Sequence, residues 1–334
     1  MRPEQSLPFN CLIPRTSGHS GCYGQAHLRQ PVHRGPVHRP ALRQRLRDPE
    51  RLVRRLTPAL DHGASPHPCD DPRVASPELS SDCSRCFGLC CVLLPFAASS
   101  GFGVDKPSGT PCLNLLPDDR CGIHDTLRQD GWPGCTVFEC FGAGQQVSQV
   151  TYAGVSWREQ DNLGEMAAVL SVMRQLHEML VHLDEVDRRS PDPAAGPVRK
   201  EIELLTAAEP EPLLLVDVDD LHVRVGELLA DASDRVRRRW PAAADRTRAD
   251  LAGRRLSGDL RGWTFRGALL IGADLRGAEL DDVDLLGADV RDADVRGCDL
   301  SSALFLTQPQ VNAARGDVGT ALPAGLSRPG HWPA

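Results

Sequence analysis

The chain has 334 residues, 41% hydrophobic and 25% charged, but only 4% aromatic and unusually rich in Gly and Pro. That length suits about two ordinary domains, and no apolar run approaches the roughly 18 residues of a membrane span. The opening, MRPEQSLPFNCLIPR, lacks the basic-then-apolar order of a secretory signal, so a cytoplasmic location is expected. The net charge of −7 is unevenly spread: residues 1–80 carry 12 Arg, no Lys and 7 acids, a net of +5, which leaves −12 on the other 254. With 36 Arg against 2 Lys and abundant Ala, Gly, Pro and Val, the chain has the stamp of a GC-rich bacterial genome, and the Arg bias says little about nucleic acid.

Residues 1–80 hold 12 of the 27 prolines and 6 of the 11 histidines without helical or strand period, and are expected to be a disordered arm. Within it, Leu42, Leu46, Leu52, Val53 and Leu56 allow one transient Arg-rich helix between Pro40 and Leu60. An alternative reading is that translation opens at Val74, nine residues before the first clustered cysteine, which makes the arm an artefact of start-site choice. Intact-mass measurement on protein from its host separates the two.

Residues 81–158 form a loop-like, Gly- and Pro-punctuated, cysteine-rich module. Cys83, Cys86, Cys90, Cys91, Cys112, Cys121, Cys135 and Cys140, with His124, fall within 58 residues. In a reducing compartment such a cluster points to metal or redox chemistry before disulfides. Thiolates are soft ligands that repel one another until a cation gathers them, and Zn²⁺ or an iron cluster takes about four. Cys83-x2-Cys86 is the short loop that lets two thiolates reach one ion. Cys90 and Cys91 are adjacent and their side chains diverge, which gives them to different ions or makes one structural. Cys11, Cys22 and Cys69 lie in the arm and are expected to be unliganded, and Asp82 reads as a turn or cap residue. The pattern CxxCxxxCC resembles the zinc- or iron-chelating domain family defined by CxxCxxCC, with one extra residue here. That resemblance covers residues 83–140 and implies Cys121, His124 and Cys135 as downstream ligands. Phe141-Gly-Ala-Gly-Gln145 reads as a turn beside the metal site rather than a phosphate loop.

Residues 159–248 are expected to be helical. Leu163, Met166, Val169, Leu170, Met173, Leu176, Leu180 and Leu183 make one long apolar stripe, the signature of a core face or a dimer seam. Val198 to Ala208 and Asp219 to Trp240 give two more amphipathic helices, separated by breaks at Pro191, Pro193 and Pro197 and at Pro210 and Pro212.

From residue 258 the sequence repeats every five residues. The third residue of each unit is Leu260, Phe265, Leu270, Leu275, Leu280, Leu285, Val290, Val295, Leu300 and Phe305. Ten apolar residues in one phase have a chance probability on the order of one in a thousand, so the repeat is structural. A period of five fits neither 3.6 nor 2. Each unit must form one side of a coil, with its small first and apolar third residues turned inward. These residues resemble the pentapeptide-repeat family, which implies a right-handed quadrilateral β-helix across 249–307, with four units to a coil. Ala249-Asp-Leu251 and Arg255-Leu256 extend it after a one-residue slip before Leu260. Trp263, in a position for a small residue, predicts a distorted first coil packed on the helices. Cys298 predicts buried packing, and residues 308–334 a cap, at Gln308 to Ala314, followed by a tail.

Some relatives in that family are thought to imitate DNA and bind topoisomerase. Two and a half coils at about 4.8 Å per strand rise only about 12 Å, against roughly 34 Å for one turn of B-DNA. Segment 249–307 has 11 acids against 7 Arg, a modest net of −4. A nucleic-acid role is therefore not expected. No P-loop, dinucleotide fingerprint, HExxH or nucleophile elbow occurs in the sequence. The expectation is a multidomain mixed fold: a metal-stapled module, a helical middle and a β-helix. Its expected role is a non-enzymatic zinc- or iron-binding protein that engages protein partners, or a second copy of itself, through the β-helix or the helices. Two competing classes are an iron–sulfur electron-transfer protein or oxidoreductase, and a thiol-based redox sensor.

Overall fold

The computed structural model describes residues 76–333. The arm up to residue 75, its helix between Pro40 and Leu60, the Val74 start and Cys11, Cys22 and Cys69 lie outside the described residues.

The middle of the chain folds as its apolar stripe dictates. Helix α1 runs Leu163–Arg189 and buries Met166, Val169, Leu170, Met173, Leu176, Leu180, Leu183 and Val186. It packs on α2, Ala195–Thr206, and α3, Val218–Arg237. Asp217 caps α3 by accepting the Asp220 N–H at 3.2 Å, where a side-chain oxygen satisfies an otherwise orphaned donor. Pro210 and Pro212 do not simply break the chain. They sit in a short helical turn, Pro210–Leu214, because a proline at the first helical position gives up only an N–H that has no partner there. Three polar side chains, His177, Glu178 and His182, are buried along the apolar length of α1, a feature the hydrophobic period alone does not show.

The C-terminal repeat forms a solenoid of parallel bridges. β1, Gly258–Asp259, pairs with β2, Ala278–Glu279. Isolated parallel bridges continue the stack: Asp245 to Thr264, Thr264 to Asp284, and Asp284 to Leu304. The coil length is 19 residues for the bridges that start at Asp245, Asp250 and Arg255 and 20 for those that start at Thr264, Leu269 and Asp274. The slip before Leu260 is thus a shorter first coil. After Phe305 the coil lengthens instead: Asp294 meets Arg315 and Asp299 meets Ala321, because the short helix α4, Gln308–Ala313, is inserted at a corner. The solenoid therefore continues past the expected cap, four strands deep on the side that stacks Arg255, Asp274, Asp294 and Arg315.

First-position Ala268, Ala273, Ala288 and Ala293 and third-position Leu270, Leu275, Leu280 and Val290 share one buried core. Cys298 belongs to it, with its Sγ 3.2 Å from the Leu275 carbonyl. Phe305 does not. Its φ is +57° and its ring meets His182 edge-on at 5.8 Å, so it faces α1, while Leu306 fills the solenoid core. Trp263 is partly buried at the first coil, against Phe265 and under Arg246. It is Trp240, just beyond α3, that presses on the first coil at Gly262, where any Cβ would lie 2.5 Å from the Trp240 side chain. At the far end Trp332 packs into the core and donates its indole N–H to Ala314 at 3.0 Å.

Helices and solenoid meet over two fully buried carboxylates. Asp284 accepts from Ser233 and Arg266. Asp282 accepts from Arg189 at 3.0 Å, from the Trp240 indole at 2.9 Å and from Arg239. Other acids serve their own units: Asp259, Asp274, Asp289 and Asp294 each accept the backbone N–H two residues on and pair with the Arg at that position. Glu279 and Asp292 instead pair across coils, with Arg261 and Arg315.

Candidate metal centre

The cysteines are carried by short helical turns, each fixed by a local device. Asp82 caps the turn Cys83–Arg85, accepting the Ser84 N–H at 3.0 Å and hydroxyl at 2.6 Å. Gly88 opens the turn Leu89–Leu93 that bears Cys90 and Cys91. Its φ is +63°, and a Cβ there would lie 2.9 Å from the Asp119 carbonyl, so only glycine suits. Phe141 and Gly142, at φ +53° and +81°, turn the chain after Cys140 into a short helix, Ala143–Gln145. His177 of α1 holds that turn through its Nδ1, 2.6 Å from the Phe141 carbonyl. Burial lowers the His177 ring to about 4, the bond to Phe141 opposing the shift, so it is neutral at pH 7 and its Nδ1–H donates.

The first and last parts of the module are stitched together. The Asp82 N–H donates to Gln145 at 3.0 Å, Gln145 donates to the Ser80 carbonyl at 2.8 Å, and the Phe87 N–H donates to Ser148 at 3.0 Å. This brings Cys86 and Cys140 together at Gly144, whose added Cβ would lie 2.9 and 3.5 Å from their sulfurs. The Ser81 hydroxyl is 3.0 Å from Cys140 Sγ and close to Glu139. Cys83 neighbours the same pair: although the residue is exposed, the protein packed around its sulfur, then the Cys86 and Cys140 thiols, push it up to about 12.

A second group forms around the middle of the module. The Cys112 N–H donates to the Cys91 carbonyl at 2.9 Å, and Leu115 bridges Cys121 in a tight antiparallel loop. Cys91 and Cys135 pack against the small cluster of Phe96, Cys112 and Trp132. Burial, then Cys91, Cys112 and Cys121, push the Cys135 thiol up to about 12. The two groups touch at the dipeptide, where the Cys90 and Cys91 sulfurs are 4.0 Å apart. The hydrogen bond between them raises Cys90 and lowers Cys91.

Backbone N–H groups point at two of the thiols, Asn114 to Cys112 Sγ and Gly144 to Cys140 Sγ, each at 3.4 Å; at Cys112 burial outweighs that bond and raises the thiol. Beside the second group stands Lys106, buried, with its ammonium donating to the carbonyls of Val92 at 3.1 Å, Leu94 at 2.6 Å, Pro107 at 3.2 Å and Thr110 at 2.7 Å. A compact ammonium suits a cage of carbonyls better than a planar guanidinium does. Burial lowers Lys106, and Cys112, Cys91 and Cys90 counter that shift. His124 is oriented differently: its ring is half exposed, with Nδ1 3.6 Å from Asp125. Among the described residues no three Cys, His, Asp or Glu side chains already stand around a common point with metal geometry. The donor set, eight soft sulfurs in two groups with N–H donors and a buried cation, nevertheless fits zinc or iron.

Spacing does not announce Lys106 or His177. The one available signal for Lys106 is that it is one of two lysines in a chain that otherwise uses Arg. His177 interrupts an apolar helix face, and its role depends on a carbonyl 36 residues away. Among the described residues no helix is long and apolar enough to cross a membrane.

These features define the class: the chain carries pentapeptide repeats, and the model of that family matches eight copies across residues 264–301. It belongs to the same family as YybG of Bacillus subtilis (strain 168), described as an uncharacterized protein. The two are 48% identical over 283 residues, which span 76% of this chain and 95% of that relative.

Proposed function

We propose that the protein is a non-enzymatic scaffold in which a zinc- or iron-loaded Cys-rich module and a pentapeptide solenoid act as one interaction body. The observation that carries the metal reading is the gathering of eight thiols in one module, among them Cys112, which accepts a backbone N–H and has the caged ammonium of Lys106 beside it. A bound soft cation would supply charge neutralisation and a cross-link for a segment built largely of turns. The solenoid supports an interaction role through its shape: short parallel strands wind around an apolar interior and present a flat outer surface of paired Asp and Arg. That pairing speaks against DNA imitation, because Asp259, Asp274, Asp289 and Asp294 are matched by guanidinium groups of their own units and Glu279 and Asp292 by those of other coils.

Anaerobic purification followed by metal analysis and a visible spectrum tests this reading. Colourless protein holding zinc is the expected result, and colourless iron-loaded protein is also consistent with it. A brown protein absorbing near about 400 nm would instead favour iron–sulfur electron transfer. Metal-free protein whose thiols oxidise reversibly in step with partner binding would favour the thiol sensor. Pull-down of partners by the intact chain, lost on disrupting the solenoid surface but not on conservative surface changes elsewhere, tests the scaffold role.

A further inference from the structure

We infer that the eight clustered cysteines make two tetrathiolate sites, Cys83/Cys86/Cys90/Cys140 and Cys91/Cys112/Cys121/Cys135, each holding one soft cation, with His124 belonging to neither. This rests on the metal reading above and assigns its ligands.

Eight ligating thiolates need more than one ion. A tetrahedral zinc or iron takes four sulfurs at about 2.3 Å, so eight thiolates in one module exceed what a single ion can bind. The fold then decides which four go together. On one side, the stitching of residues 80–87 to 140–148 places Cys86 and Cys140 at Gly144. The glycine leaves room for both sulfurs, since a Cβ there would crowd Cys86 Sγ at 2.9 Å and touch Cys140 Sγ at 3.5 Å. Cys83 enters through its capped turn, three residues before Cys86, and the Cys86 and Cys83 thiols both act electrostatically on Cys90. On the other side, Cys91, Cys112 and Cys135 share the Phe96 and Trp132 cluster, and the Leu115 to Cys121 bridge returns Cys121 to them.

The Cys90-Cys91 dipeptide belongs to both sides. Its two sulfurs are 4.0 Å apart, so the two sites adjoin there, with the Cys86 and Cys83 thiols acting on Cys90 and Cys91 packed on the Phe96, Cys112 and Trp132 cluster. Charge supports the division. A tetrathiolate around a divalent cation carries a net of −2, and the ammonium of Lys106 lies beside the second group, within reach of Cys112 and Cys91. At the first group, the Gly144 N–H donates to Cys140 Sγ.

The test is a titration of the reduced full-length chain with Zn²⁺, read by native mass spectrometry and by protection of cysteines from alkylation. Two zinc ions per chain and eight protected cysteines are expected in the wild type, a result that needs no variant. The pair Cys86→Ser/Cys140→Ser should keep one zinc and still protect Cys112 and Cys135. The pair Cys112→Ser/Cys135→Ser should keep one and still protect Cys83 and Cys140. His124→Ala should keep two. Single replacements Cys90→Ser and Cys91→Ser should each lose one ion; loss of two from either identifies a bridged binuclear centre and overturns the division. One zinc in the wild type, lost in both paired variants, overturns it in favour of a single shared site. A wild type that binds no zinc and is isolated without metal overturns the metal reading itself, and this outcome is distinct from the others.

Discussion

The solenoid and the Cys-rich module solve the same problem by different means. In the solenoid every coil adds apolar third-position side chains and small first-position ones to a shared interior, so each unit is stabilised by its neighbours. The module has no such ladder: it has the small cluster of Phe96, Cys112 and Trp132, and its short helical segments Leu89–Leu93 and Ala143–Gln145 lean on α1. Much of its order comes from hydrogen bonds that tie loop to loop, such as Arg158 to Asp119 at 2.6 Å and the Trp157 indole to the Phe87 carbonyl at 3.0 Å. A region that buries little apolar surface needs a staple; a region that stacks an apolar ladder does not.

The sharpest way to break that comparison is to remove the staple. Treating the reduced protein with a strong chelator should unfold the module cooperatively, since structural zinc can contribute about 10 kcal/mol or more of apparent folding free energy. Hydrogen exchange should then show loss of protection across 83–140, while the backbone bonds of 260–300 stay protected. Equal loss in both regions would mean that the solenoid depends on the module.

The next largest effect should come from the seam. Asp284 and Asp282 are fully buried and each satisfies more than one donor. Asp284→Ala would leave Arg266 without its buried partner, a change that typically costs about 3–5 kcal/mol. Chemical denaturation should show the helices and the solenoid coming apart into two transitions. Within the solenoid, Leu270→Ala removes a fully buried ladder residue and should cost about 3 kcal/mol in the solenoid transition, with metal content unchanged. Arg276→Ala, on the exposed turn, should leave that transition where it is, because Asp274 keeps its backbone bond.

What could be read in the sequence follows the same line between local and distant causes. The period of five set the coil, the inward residues and even the shorter first turn, because each unit repeats its own instruction. It misplaced Phe305, since the left-handed backbone there and the pull of His182 come from α1, more than a hundred residues earlier. It also stopped the solenoid too soon, because α4 is an insertion and the strands at Arg315 and Ala321 carry no repeat signature. The cysteines declared themselves by number and spacing. Their grouping did not, because it depends on the joining of 80–87 to 140–148 and on Gly144, contacts that no local pattern contains.

His182 gives the finest test of how the helices and the solenoid share their seam. Its ring projects from α1, buried against Phe305, and burial, then the Arg266 charge, lower it to about 4 from an ordinary value of 6.5. The folded state therefore keeps it neutral, whereas the unfolded chain takes up a proton below pH 6.5. The stability it contributes is intact above pH 6.5 and is lost as pH falls toward 4. From pH 6.5 to 5.5 the loss should be about 1 kcal/mol. Glu185, raised by burial, works in the opposite direction, gaining stability as pH falls through its elevated titration toward the usual carboxylate range. The measurement is therefore a difference: the pH slope of denaturation for the wild type minus that for His182→Leu. A residual slope of the predicted size assigns the acid response to this ring, and no difference would show that the seam opens enough for His182 to titrate as it does in the unfolded chain.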